Sequence, residues 1–551
     1  MQGVKTMTIS KPNRSPATLT KNRVQPAPSG ICVTCLDGCP GPCEIGRSAV
    51  RGRELLYPMP FGKVTAGADK DYPCDFSYFN IQGTCVGAVG MAPDSDQAIF
   101  PAVDTSVEIG VKHKVKLSFP AFTGALGSTD IARIHWESMA IGAAISGIII
   151  VCGENVCGMD PQSEIKKGRV VHSPEMERRV KIFKKWQQGH GDIIVQANVE
   201  DGRLGVPEYV IEKLGVEFFE LKWGQGAKNI GGEVKLPNLE RAKQLRNRGY
   251  IVLPDPLDTM TQEQYKVRGI REFERHSRLG MVDEDEFYKT IEHLRRVGAK
   301  RVSLKTGAYR PADLARAVKF ASQARIDLLT VDGAGGGTGM SPWRMMNEWG
   351  IPTVHLECLL YEYLSHLQSK GEFVPTCAIA GGLSLEDHVF KALALGAPFV
   401  KLVCMGRSIM TAAMVGNVEG KKLAEKCERE ERDLKEAYLE HFAEAAALRR
   451  KYPLSKYARI PAGAIGMYSY LSRMTQGLQQ FMAGARKFGL EHISRGDLVA
   501  LTPEAAQISG IPYVMDADAR EVEKILGYRR SSSLTEMGPY ANFKDLAASG
   551  K

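Results

Sequence analysis

The chain has 551 residues, 44% of them apolar and 25% charged, the proportions of an ordinary folded globular protein, which exclude intrinsic disorder, collagen and coiled coil. At ~150 residues per domain, this length allows three or four domains or one large barrel with appendages. Lys and Arg outnumber Asp and Glu by 72 to 63, and the net +9 is spread without the aromatic-interleaved stripe of a nucleic-acid reader, so it points to small anionic ligands or an acidic partner.

Residues 1–30 carry five basic and no acidic side chains but no apolar core for a secretory signal, and read as a flexible tail, with a transit-like peptide as the alternative. Residues 31–116 read as a cysteine-rich segment followed by a connecting region. Four of the twelve cysteines, Cys32, Cys35, Cys39 and Cys43, fall in one Gly/Pro-dense loop. A secreted disulfide framework would spread its cysteines over a small chain, so the expected location is cytoplasmic. Four thiolates this close suit a [4Fe-4S] cluster. Structural zinc, which more often uses two separated CxxC knuckles, is the alternative, as is no metal. No membrane span is expected, because the longest uncharged apolar run, Met139 to Cys152, is shorter than the ~20 residues that cross a bilayer.

From Leu117 the pattern becomes regular. Runs rich in β-branched residues, each followed by a turn and a helix-period segment, lie at Leu117–Phe122, Gly147–Cys152, Asp192–Ala197, Glu217–Lys222, Arg301–Lys305, Asp327–Asp332, Thr376–Ala380 and Pro398–Cys404. Eight strands alternating with helices predict an α/β fold, a (β/α)8 TIM barrel over residues 117–419. Residues 420–551 read as a C-terminal helical extension: a charge-dense helix to about Tyr452 packed by Leu423, Leu434, Phe442 and Leu448, helix again from Ile460 to Leu490, and a helix start at Thr502–Ala505.

In such a barrel, chemistry sits on loops at the C-terminal ends of the strands. After the last two strands come Gly381-Gly382 and Gly406-Arg407, turns whose backbone amides and helix N-terminus suit a phosphate, with Arg407 adding a charge; tight strand-to-helix packing is the alternative. After strand six, Val331-Asp-Gly-Ala-Gly-Gly-Gly-Thr-Gly339, including Gly336 and Gly337, gives a backbone able to lie flat against a planar ring. After strand four, Gln225 and Lys228 offer an amide and a point charge for a carboxylate. Lys305 closes strand five and would stabilise an anionic reduced flavin. Glu154, after strand two, is a candidate proton donor beside Cys152 and Cys157, for which simple burial competes with redox or ligation.

Taken together, QANVEDGRLGVPEYV (196–210), QGAKNIGGEVKLP (225–237), VSLK (302–305), VDGAGGGTGMSP (331–342) and residues 380–407 resemble the FMN-binding synthase domain of glutamate synthase, especially its shorter, stand-alone archaeal-type members. The resemblance runs from about Leu117 to Asn417. It implies FMN on the barrel mouth, electrons from an iron-sulfur cluster, and reductive amination of 2-oxoglutarate, or a close 2-oxo acid, with ammonia. It also implies residue roles. Gln225 and Lys228 would face the oxo acid and the flavin, and Glu154 would assist as a third catalytic residue. Lys305 would be the flavin lysine, and Gly381, Gly382, Gly406 and Arg407 the phosphate cradle. Thr123 and Gly124 would lie beside the isoalloxazine edge, with Gln196, Asp332, Gly336 and Gly337 completing the cofactor site.

The sequence also departs from the family. Residues 406–416 lack the cysteines that the larger enzymes carry after the eighth strand, so Cys32, Cys35, Cys39 and Cys43 would have to replace them. Ala334-Gly335 stands where a His-Asp pair is common, and Asn229 where proline is usual. The alternatives are therefore related flavin chemistry on another substrate, such as an N-alkylated glutamate, or a non-catalytic electron-relay subunit of a larger complex. With no glutaminase domain or nucleotide-binding GxGxxG unit recognised, ammonia would be free or come from a separate glutaminase subunit. Electrons would come from ferredoxin or a partner flavoprotein. Self-association into a homo-oligomer is compatible with this reading.

Overall fold

Strands that are apolar on both faces must be covered on both, and the eight runs here form one parallel sheet that closes on itself. The computed structural model describes residues 68, 70, 72–224, 234–337 and 341–527. The strands are β1 (Ala121–Thr123), β2 (Ile150–Cys152), β3 (Ile193–Ala197), β4 (Phe218–Lys222), β5 (Arg301–Thr306), β6 (Leu328–Asp332), β7 (Cys377–Ala380) and β8 (Val400–Met405). They pair around the ring as β1-β8-β7-β6-β5-β4-β3-β2. Between β1 and β2 the closure is looser: Thr123 N donates to Ile149 O at 3.1 Å and Leu126 N to Val151 O at 3.0 Å. The expected TIM barrel is therefore present, with every anticipated strand in place.

Alternation along each strand sorts the side chains into two buried sets. Ile194, Phe218, Leu328, Ala378 and Leu402 face inward. Val195, Phe219, Val302, Leu329, Ile379 and Val403 face outward onto the helices. The first strand differs from expectation at its start. Leu117 belongs to a preceding antiparallel hairpin, Val107–Ile109 with Val115–Leu117, whose Ile109, Val115 and Leu117 join the inner set. Val111 N donates to Asp327 Oδ1, just before β6, at 2.7 Å, so the hairpin plugs the N-terminal end of the barrel.

Around the barrel run α1 (Asp130–Ser146), α2 (Pro174–Trp186), α3 (Glu284–Val297), α4 (Pro311–Gln323), α5 (Thr353–Ser369), α6 (Glu386–Leu395) and α7 (Arg407–Glu430). Thr129 caps α1, and the helix stops at Gly147, which takes the left-handed φ of +69°. That stop splits the apolar run Met139–Cys152 into a helix end and β2. No helix among the described residues is long and apolar enough to cross a membrane.

Between β4 and α3 lies an unanticipated three-stranded antiparallel sheet in the order Val234–Leu236, Phe273–His276, Ile251–Leu253. Beyond β8, α7 runs unbroken through residue 419, and the charge-dense stretch continues as two shorter helices, Leu434–His441 and Ala445–Lys451. Phe442 and Leu448 are buried as expected, and Thr502 caps the helix Pro503–Ser509. The long helix α8 (Ala462–Gly484) packs on α7, α1 and α6. This C-terminal region also contains a strand, Leu498–Ala500, paired antiparallel with Phe79–Ile81.

Candidate active site at the barrel mouth

Above the apolar layer, the inner face turns polar. Gln196 on β3, Glu220 on β4, and Ser303 and Lys305 on β5 are all buried, and Asp332 ends β6. Gln196 Nε2 donates to one Glu220 oxygen at 2.6 Å and Ser303 Oγ to the other at 3.2 Å. Burial raises the Glu220 carboxyl above its ordinary value, opposed by Lys305, Gln196 and Ser303. Lys305 Nζ lies 3.1 Å from Asp332 Oδ2. Burial works against the Lys305 charge, but Asp332, Cys404 and Glu220 outweigh it and hold the ammonium above the usual lysine range. Gln196 Oε1 and Thr330 Oγ1 are buried here without a hydrogen-bond partner among the described residues, an arrangement that a ligand or water would ordinarily relieve.

Glu154 sits beside this network. Its carboxylate is 3.0 Å from Lys222 Nζ, at the end of β4. Its neighbour Asn155 takes a left-handed φ of +65°, and Asp201 accepts the Asn155 N–H through both oxygens, at 2.9 and 3.2 Å. Asp201 also completes a capping box with Asn198. Burial raises its carboxyl to about 7, against the pull of the Asn155 and Asn198 amides. The turn bearing Glu154 is therefore held from β3 and β4, and its side chain faces a cation.

On the middle strand of the inserted sheet, Arg275 is 1% exposed. Its guanidinium lies over the Tyr250 ring at 5.1 Å, while Nε and Nη1 have no hydrogen-bond partner. Nearby Glu200 is already bound by Arg203 and Arg278, each at 2.9 Å.

The last two strands end in close backbone contacts. A Cβ on Gly124 would come within 2.8 Å of Gly406 Cα. Gly381 has a φ of +125°, and a Cβ there would meet Thr353 Oγ1 at 2.4 Å, so only glycine fits this turn. Thr353, at the start of α5, donates to Gly381 O at 2.8 Å and thereby ties the β6 loop to the β7 turn. His388 Nδ1 accepts from Ser384 N and Leu385 N at 3.0 and 3.2 Å, just before the first turn of α6. Burial pushes the His388 ring down to about 4. Among the described residues, the α7 N-terminus has no side-chain cap at Gly406. Arg407, next to it, is exposed and has no acid within ion-pair distance among the described residues.

The structure thus brings Thr123, Gly124, Glu154, Gln196, Lys305, Asp332, Gly381, Gly382, Gly406 and Arg407 to the C-terminal ends of the strands. Gly336 and Gly337 follow β6 in the same ring of loops. Gln225, Lys228, Cys32, Cys35, Cys39 and Cys43 lie outside the described residues. Among the described residues, no group of three or more His, Cys, Asp or Glu could hold a metal ion. Cys152 and Cys157 are buried thiols: Cys152 contacts Met176 Sδ at 3.7 Å, and burial raises it to about 11 and lifts Cys157 well above the ordinary thiol range. Lys222, Asp201, Thr353 and His388 were not singled out from sequence. Lys222 carries the same signal as Lys305, a lysine closing an otherwise apolar strand.

Residues 274–427 match the family model described as the conserved region in glutamate synthase. This stretch is similar to the glutamate synthase-like family. The matched stretch spans β5 to β8 and so includes Lys305, Asp332, the two glycine turns and Arg407. A curated relative, the glutamate synthase large subunit-like protein YerD of Bacillus subtilis (strain 168), is 29% identical over 194 residues. That alignment covers 34% of this chain and 32% of the relative, so the glutamate synthase-like match spans about a third of the relative's length. Among solved structures, a doubly substituted flavocytochrome b2 with pyruvate bound is 12% identical at a TM-score of 0.44, covering 83% of each chain. (S)-mandelate dehydrogenase is 14% identical at a TM-score of 0.40, covering 77% of this chain and 89% of its own.

Proposed function

We propose that the chain is an FMN-dependent oxidoreductase of glutamate synthase type, reductively aminating 2-oxoglutarate or a close 2-oxo acid. The observation that carries this reading is the convergence, at one end of a glutamate synthase-like barrel, of the Lys305–Asp332 and Lys222–Glu154 ion pairs with the two glycine turns.

The residues present fit FMN. The uncapped α7 N-terminus, Gly381, Gly382, Gly406 and Arg407 would receive its phosphate, and Thr123, Gly124, Gln196, Lys305, Asp332, Gly336 and Gly337 would line its ring. When bound, FMN supplies two-electron transfer. The protein's part is to bind, orient and manage protons. Gln225 and Lys228 would hold the oxo-acid carboxylate. Glu154, paired with Lys222, would relay a proton at the imine nitrogen formed from the oxo acid and ammonia. Lys305 would place positive charge beside the reduced ring.

Cys32, Cys35, Cys39 and Cys43 would hold a [4Fe-4S] cluster that passes electrons from ferredoxin or a partner flavoprotein. Ammonia would be free or delivered by a separate subunit. The test is anaerobic turnover of reduced full-length protein with 2-oxoglutarate and ammonium. Glutamate formation with reoxidation of the flavin is the expected result, and a flavin that stays reduced overturns the substrate assignment. Ala334-Gly335 in the β6 loop favours one other reading, the same chemistry on an N-alkylated glutamate or another 2-oxo acid. A panel of such substrates separates the two.

A further inference from the structure

Lys305 and Asp332 end neighbouring strands on the inner face of the barrel, with Lys305 opposite Thr330 and Asp332 opposite Ala380 in the sheet register. Their side chains are 8% and 13% exposed, and Nζ lies 3.1 Å from Oδ2. Glu220 and Cys404 are the other groups whose fields act on the Lys305 ammonium. Glu220 is occupied by Gln196 and Ser303, and Cys404 is a buried thiol raised to about 12. Asp332 is the carboxylate within ion-pair distance of this lysine, at 3.1 Å.

A lone buried ammonium at the mouth would favour any cofactor state that carries more negative charge, because Coulomb interactions in a poorly solvated site are weakly screened. A carboxylate 3.1 Å from that ammonium converts the field of a charge into that of a dipole, which falls off faster. We propose that Asp332 sets the electron affinity of the bound flavin by offsetting the field of Lys305 with its own, keeping the reduced form less stabilised than an unpaired lysine would, and so making the site a stronger reductant. This deepens the FMN reading above and rests on it. Asp332 is on this account a tuning residue.

The test is equilibration of flavin-loaded, full-length protein with a redox dye, read spectroscopically for wild type, Asp332→Asn, Lys305→Met and the double variant. At a fixed dye poise, Asp332→Asn should raise the ratio of reduced to oxidised flavin at least tenfold. Lys305→Met should lower it at least tenfold, and the double variant should return close to wild type. A merely structural Asp332 would lower stability to urea without moving the dye equilibrium. An Asp332→Asn protein with wild-type ratio overturns the proposal. If that variant does not retain flavin, the comparison of Lys305→Met with the double variant decides: equal ratios overturn the proposal, and a higher ratio in the double supports it. Wild-type protein that binds no flavin would overturn the FMN reading itself.

Discussion

Lys222 Nζ lies 3.0 Å from Glu154 Oε1, with side chains 6% and 10% exposed, and the two come from the ends of different strands, 68 residues apart. Removing one member of a buried ion pair costs up to about 3–5 kcal/mol. Lys222→Met should therefore lower the urea unfolding free energy by that order. Adding Glu154→Gln should recover part of the loss. A double variant as unstable as the sum of the single variants would show that the two do not act as a pair.

Asp201 titrates in the opposite sense to a surface carboxylate. Because burial raises its folded pKa to about 7, the folded protein keeps a proton that the unfolded chain has released from about pH 4 upward. Its contribution therefore falls as pH rises through that window, by at most about 1.4 kcal/mol per unit. The variant Asp201→Asn lacks this titration. Its stability relative to wild type should improve from pH 4 to 7, measured by urea unfolding at each pH. A difference that does not vary with pH would mean that Asp201 is ionised throughout.

Arg407 and Gly381 separate ligand binding from folding. Arg407 is exposed and has no ion-pair partner among the described residues, so Arg407→Ala should change stability by no more than about 0.5 kcal/mol while weakening FMN binding roughly tenfold, the loss of one charge-assisted bond. Gly381→Ala must place a Cβ 2.4 Å from Thr353 Oγ1 at a φ of +125°, and should lower both stability and FMN affinity. Fluorescence titration of apoprotein with FMN, alongside thermal melts, reads both effects. Unchanged FMN affinity in both variants would move the phosphate elsewhere.

For the cysteine loop, the anaerobic absorption spectrum should show a flavin doublet with a broad shoulder near ~400 nm. Cys35→Ser should abolish the shoulder and leave the flavin bands. A shoulder that survives places the cluster on other ligands.

The barrel was legible because its strands are local patterns. The eight runs are rich in β-branched or aromatic residues and bounded by turn residues, and the order strand-helix-strand permits little else. Leu117 was assigned to the first strand because Val115-Lys-Leu117 alternates like the residues that follow, although a turn at residues 118–120 separates them. The inserted sheet was missed because its edge strand, Ile251–Leu253, exposes Ile251 and Leu253 and so has no buried-face signature.

The site was legible in part, for the same reason. Lysines ending strands and glycines following them are visible one residue at a time, and Asp201 lay inside a quoted motif without a role. What Asp201 does depends on Asn155, 46 residues earlier, and Thr353 acts on a turn 28 residues later.

The sequence by itself determined the number and order of the strands, the glycines at their ends and the residue types at the mouth, because backbone preference and burial act over a few neighbouring residues. Only the tertiary structure decided that Lys305 is paired with Asp332, that Lys222 is paired with Glu154, and that His388 binds the Ser384 amide ahead of α6. Which charge meets which depends on how closure of the barrel sets strand ends side by side, at separations of a few ångströms that no local pattern encodes.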